Sequence, residues 1–247
     1  MILARFRVLF WVLFGVLPLL LAQMTHAQTS GFELPLTGSL RLQTVQIILL
    51  ITVISIAPGI LIMVTCFPFI LTVLSILRQA IGVQQAPPNM LLISLALFLT
   101  YYIMEPVFQA SWALGVEPMI AEEISVSEGF RKALEPLSAF MMARVDGETL
   151  QAMQALRAQT QGASQSPPAL SVLVPSFMLS EIARAFQIGF LLFLPFLIID
   201  LVVSAILMSM GMMMVPPALV ALPFKLAFFV VSDGWQLIAF SLVRGYV

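Results

Sequence analysis

Residues 175–217, PSFMLSEIARAFQIGFLLFLPFLIIDLVVSAILMSMGMMMVPP, decide how the rest of the chain is read. Their apolar runs enclose Glu181, Arg184 and Asp200 and end in a turn, Met208-Ser209-Met210-Gly211-Met212-Met213-Met214-Val215-Pro216-Pro217. A further apolar run, carrying Lys225 and Asp233, continues to Trp235. Water does not solvate that much apolar surface, and a simple membrane anchor needs no charges in its apolar segments. Helices that pack on other protein and line something polar meet both conditions.

The charges have competing readings. Glu181 and Arg184 are three residues apart, so they share a helix face and can pair. Either they face protein or water at membrane depth, or they form a solvated pair on a helix end outside the membrane. Asp200 has no basic neighbour in sequence, Pro195 predicts a kink just before it, and Lys225 across the turn is its candidate partner. Together with Asp233 these residues are expected as inter-helix or inter-subunit charges. A proton relay or ion site requires instead that Asp200 face a pore. The flexible, polarizable methionines Met208, Met210, Met212, Met213 and Met214 fill a core or form a deformable gasket. Their crowding at a Gly-Pro turn, away from any helix face, favours the gasket.

Composition narrows the class. Of 247 residues, 61% are hydrophobic and 9% charged, against about 25% charged in a typical soluble domain. The formal net charge of −1 gives no basic surface for nucleic acid. His26 and Cys66 stand alone in their types, which excludes an internal disulfide and any His/Cys metal cluster. No cofactor is suggested, and a His-based catalytic triad has no residues to build it.

Residues 1–27 read as a secretory signal. Arg5 and Arg7 precede an apolar core at 8–22, and Thr25-His26-Ala27 offers a cleavage site before Gln28. Residues 28–115 read as a strand-poor segment and a first helical hairpin. No charge falls between Arg41 and Arg78, too long a run for one span of about 20 residues. Pro58-Gly59 and Pro68 are therefore expected to break or kink it. Residues 78–89 form the turn, and the next helix resumes past Glu105-Pro106. Residues 116–170 hold amphipathic helices, and 171–247 a second hairpin bearing the Met-rich turn. A cleaved signal makes 117–170 periplasmic. Its four Lys/Arg against Arg78 alone in the other loop oppose that orientation. The signal is given more weight, because these hairpins need not sit in lipid as ordinary spans.

Three stretches carry a resemblance: 78–100 (RQAIGVQQAPPNMLLISLALFLT), 175–217, and 222–235 (LPFKLAFFVVSDGW). They resemble the FliP family of flagellar export-gate proteins, and the virulence type III secretion counterpart is similar. The signal sequence and the larger polar insertion favour the flagellar branch. The resemblance implies an all-α, membrane-associated fold of kinked hairpins that assemble into a ring or conical helical pore, with a small polar helical insertion. It implies no enzyme. It implies five copies joined by FliQ and FliR, working with FlhA and FlhB at the flagellar basal body in the inner membrane. Unfolded flagellar proteins would pass through the channel. The family's sealing loop maps onto 208–214, and its SEL-type and PFK-type motifs place Glu181 and Lys225 at subunit contacts. One departure is Thr65-Cys66-Phe67-Pro68-Phe69, where the family usually continues Thr-Ser-Phe with Thr-Arg. The basic residue is absent, and Cys66 reads as a packed small residue. The competing readings are a small-solute or ion transporter using Asp200 and Lys225, and a scaffold with no pore.

Overall fold

The computed structural model describes residues 38–83, 86–161, 168–212 and 214–246, and the side chains of 38–43 and 159–161 are left aside. The signal segment with Ala27 and Gln28, and Met213 in the turn, lie outside the described residues. Among the described residues all regular structure is helical. The chain divides within its first helix into two units, Met1–Thr52 and Val53–Val247. Of the first unit the structure describes helical backbone from Gly38 onward and side chains from Thr44.

Helix α1 (Gly38–Met63) carries exposed apolar side chains from Val45 to Met63 and includes a 20-residue candidate span, Thr44–Met63. The expected break at Pro58-Gly59 does not occur, because α1 continues through Pro58. An apolar spanning helix tolerates a proline when local adjustments re-satisfy the freed backbone. The break falls at Val64–Cys66, just ahead of Pro68, the second of the two expected positions. There the Thr65 hydroxyl donates to the Ile62 carbonyl at 2.7 Å. Helix α2 (Phe67–Ile81) has Pro68 in its first turn, where a missing N–H leaves no bond unmade.

The buried face of α2 (Ile70, Val73, Leu74, Leu77, Ile81) recurs every three or four residues. It packs against α7 (Leu170–Ser209), a 40-residue helix running through Pro175 and Pro195. The contact is close because Gly189 has no side chain: a Cβ there would lie 2.4 Å from Ile76. Helix α3 (Asn89–Ser111) runs past Glu105-Pro106, and a π-helical turn (Trp112–Val116) leads into α4 (Glu117–Ile120). The continuous candidate span is 32 residues long.

The polar insertion forms α5 (Val126–Arg144) and α6 (Gly147–Gln161). Ser125 caps α5 by accepting the Glu128 amide. Asp146 accepts both the amide and the hydroxyl of Thr149 at 2.9 Å, and these bonds hold its carboxyl below the usual range. The π-helical turn meets α5 at Gly115, whose Cβ would strike the Gly129 carbonyl at 2.4 Å. After the Met-rich turn, α8 (Pro217–Val231) and α9 (Gly234–Arg244) meet at a 60° bend. Their core joins Phe69, Leu77, Met104, Phe196, Phe229 and Leu242. Large apolar side chains on α7 and α8, among them Phe190, Leu201 and Val230, remain exposed. Surface of that kind belongs against lipid or other protein.

Candidate functional site

Two charge clusters and one turn stand out of this apolar framework. Glu181, completely buried on α7, receives Arg144 Nε at 3.3 Å and Arg184 Nη1 at 3.1 Å on Oε1, and the Tyr246 hydroxyl on Oε2. Arg144 ends α5. It also donates to the Gly245 carbonyl at 2.7 Å and lies 3.9 Å over the Tyr246 ring. Its own carbonyl accepts from Arg184, and Ser180 accepts the Asp146 amide. The pair is thus not a solvated helix end. It lies in a joint tying the polar insertion to α7 and to the residues after α9. Burial, then the neighbouring Glu181 charge, keeps the Tyr246 phenol protonated well above its ordinary range.

On the same helix, Asp200 meets Lys225 of α8 at 2.7 Å. The lysine is nearly buried and also donates to the Ala80 carbonyl of α2 at 3.0 Å. One ammonium therefore joins three helices. Asp200 side-chain exposure is 34%, so water reaches part of that carboxylate, although its Oδ1 is buried and unpartnered. Asp233 sits in the bend between α8 and α9 with φ +48°. Among the described residues it makes no ion pair. Its carbonyl accepts the Gln236 and Leu237 amides and starts α9.

The turn closes α7 in a defined way. Gly211 has φ +77°, its amide bonds the Met208 carbonyl, and the Met212 amide bonds the Leu207 carbonyl. This pair of bonds is a Schellman termination. With those carbonyls satisfied, the side chains point away from any core: Met208, Met210 and Met212 are exposed, and Met214 is 98% exposed. Met210 and Met212 border an apolar groove of about 540 Å³ between α7 and α8, with Val202, Leu207, Val220 and Phe224. Among the described residues no His, Cys, Asp and Glu group could hold a metal.

A sequence model of the FliP family matches residues 50–242. The chain belongs to the FliP family. The flagellar biosynthetic protein FliP of Caulobacter vibrioides is 51% identical over 204 residues, 83% of this chain and 77% of that protein. The Bacillus subtilis FliP is 46% identical over 203 residues, 82% of this chain and 92% of its own length. The Rhizobium meliloti FliP is 44% identical over 216 residues, covering 86% and 88%. This member of the FliP family is therefore a flagellar biosynthesis protein with the helices of a membrane protein.

Cys66 is fully buried in the break before α2, and burial pushes its thiol up to about 12. Sequence reasoning missed Arg144 and Tyr246 as partners of Glu181, and the Ala80 carbonyl as a partner of Lys225. Arg144 had only its place at the basic end of an amphipathic helix to mark it. Tyr246 carried no periodic signal.

Proposed function

We propose that this flagellar export component is a pore-forming subunit of the export gate in the inner membrane. Copies of the chain, five in the expected assembly, would surround a channel with FliQ and FliR, facing FlhA and FlhB. Unfolded flagellar proteins would pass through it. Methionines 208, 210, 212, 213 and 214 form the resting seal. The observation that carries this reading is the termination of α7. The Met210, Gly211 and Met212 amides are satisfied by carbonyls of α7 while the described methionine side chains of the turn are directed outward, so they can pack on one another across an axis and part again without breaking directional bonds. The charges of α7 and α8 serve assembly by fixing how the hairpins meet, with Asp233 left for a contact outside the subunit. Residues 116–170 form the periplasm-facing insertion, and 28–115 and 171–247 the two hairpins.

The transporter reading makes Asp200 and Lys225 a binding pair. Against it, the lysine already bonds a carboxylate and a backbone carbonyl of its own chain. A solute would have to displace both.

Native mass measurement of the detergent-solubilised protein, alone and with FliQ and FliR, tests the proposal. A particle of about five copies that grows in discrete steps is expected. A monomer or dimer indifferent to both partners would remove the gate reading.

A further inference from the structure

Glu105 lies near the middle of the 32-residue apolar segment from Asn89 to Ile120, yet its side chain is turned outward. Phe98, Tyr102, Glu105, Gln109 and Trp112 are all exposed, and their positions advance by 4, 3, 4 and 3 residues. That spacing is the seam along which a second helix packs knobs into holes, and a polar residue within a seam fixes its register. Around Glu105 the surface is concave. Tyr101, Phe108, Gln109 and Trp112 complete a pocket of about 310 Å³. Among the described residues the carboxylate's one hydrogen-bond partner is the Gln109 side-chain amide, at 3.1 Å. An acid walled by aromatic faces is suited to a guanidinium or ammonium group, which gains both the charge and the ring quadrupoles.

The chain carries such a group at the matching level. Helix α9 exposes Leu237, Phe240 and Arg244 at spacings of 3 and 4 residues, a stripe of the same kind ending in a cation. Of the basic residues with described side chains in the span-length apolar helices, Arg184 and Lys225 are engaged by Glu181 and Asp200. Among the described residues Arg244 makes no ion pair. Two residues later Tyr246 stacks edge-on against Phe69 at 5.5 Å. Phe69 follows Cys66 by less than a turn, and the Cys66 thiol lies beside Thr100. The end of α9 therefore stands about level with the turn of α3 that precedes Glu105.

We infer that α3 of one copy receives α9 of a second copy, with Arg244 of that copy entering the Tyr101–Trp112 pocket against Glu105. Two different surfaces meet in this contact, so it is heterologous, and repetition closes a ring or climbs as a short helix. The inference rests on the homo-oligomeric part of the proposed function.

The test uses two differently tagged full-length chains in a Cys66→Ser background, one with Glu105→Cys and the other with Arg244→Cys. They are co-expressed with the export partners, and the assembly is treated with a short bis-maleimide, because an Arg–Glu pair holds its Cβ atoms farther apart than a disulfide bridges. A mixed-tag cross-linked dimer is expected. In parallel, Glu105→Arg alone lowers the yield of assembled oligomer at least tenfold, and Arg244→Glu in the same chain restores it. An intact oligomer with neither mixed dimer nor rescue overturns the contact and leaves the gate reading standing. So does a cross-link from Glu105→Cys to a different protein. A wild-type chain that stays monomeric beside its partners removes the gate reading and this contact together.

Discussion

Tyr246 donates its hydroxyl to Glu181, 65 residues earlier in the chain, while its ring lies beneath the guanidinium of Arg144. The residues after α9 thereby complete the shell of a fully buried carboxylate. Removing that carboxylate leaves two guanidinium groups, each partly reached by water, without their shared acceptor. Glu181→Ala is expected to cost about 3 kcal/mol, the low end of the range for breaking a buried ion pair. Tyr246→Phe leaves both ion pairs and should cost about 1–3 kcal/mol. Thermal unfolding in detergent ranks the two, and equal losses would remove the ionic explanation.

Asp200 and Lys225 differ in exposure, so their single substitutions are not equivalent. Asp200→Leu leaves an uncompensated, nearly buried ammonium and should destabilise by about 3 kcal/mol or more. Lys225→Met leaves a carboxylate that water partly reaches, and its cost is smaller. The double variant should regain most of the loss, since a well-packed apolar pair often matches a buried ion pair. Unfolding measurements on all four proteins decide this. Strict additivity would mean that the two side chains act independently.

Packing of α2 on α7 depends on the missing side chain at Gly189. Gly189→Val forces Ile76 aside and should cost about 1–3 kcal/mol, as overpacking generally does. Ile76→Ala in the same chain should return part of it. If the second substitution only adds to the damage, Ile76 is not the obstacle.

Alkaline pH acts through two groups outside the span-length helices. Cys66 is raised from 9.0 to about 12 and Tyr246 is raised from 10.0. For each, the folded state favours the neutral form. Their contribution is complete below the ordinary pKa and is lost as the pH rises from there toward the folded value. Stability should fall from about pH 9 upward, by at most about 1.4 kcal/mol per pH unit for each group. Cys66→Ser should delay the onset to about pH 10, Tyr246's ordinary value. At pH 8 the folded protein should resist iodoacetamide and become labelled only when unfolded. Rapid labelling of the native protein would contradict the burial.

Substituting alanine for the five methionines of the turn should raise ion leakage in cells that carry the assembled complex, with assembly itself preserved. Gly211→Ala strains the left-handed residue by about 1–2 kcal/mol and should disturb the turn while keeping every methionine. Unaltered conductance in both variants would remove the seal.

Local spacing carried much of this architecture. The three-residue step from Glu181 to Arg184 and the antiparallel return from Asp200 to Lys225 are relations a single sequence contains, and the structure has both pairs within 3.1 Å. The continuation of α3 past Glu105-Pro106 was readable from apolar length. Of the two interruptions expected in the first apolar run, the one at Pro68 is real, with α2 restarting at Phe67. Helix α1 runs on through Pro58, a proline weighed as it would be in water. Arg144 approaches Glu181 across 37 residues and a polar insertion, and no periodicity links such positions. The close approach at Gly189 was equally silent, since a glycine in an apolar helix looks the same whether or not a neighbour presses on it.

The bond from Lys225 to the Ala80 carbonyl spans 145 residues. Synthesis is vectorial, so α2 and Asp200 both leave the ribosome before the lysine that satisfies them. Until α8 emerges, the Asp200 carboxylate has no ammonium partner and must stay at an aqueous boundary. A chain stopped short of Lys225 leaves that carboxylate without its ammonium and should be a target for quality-control proteolysis.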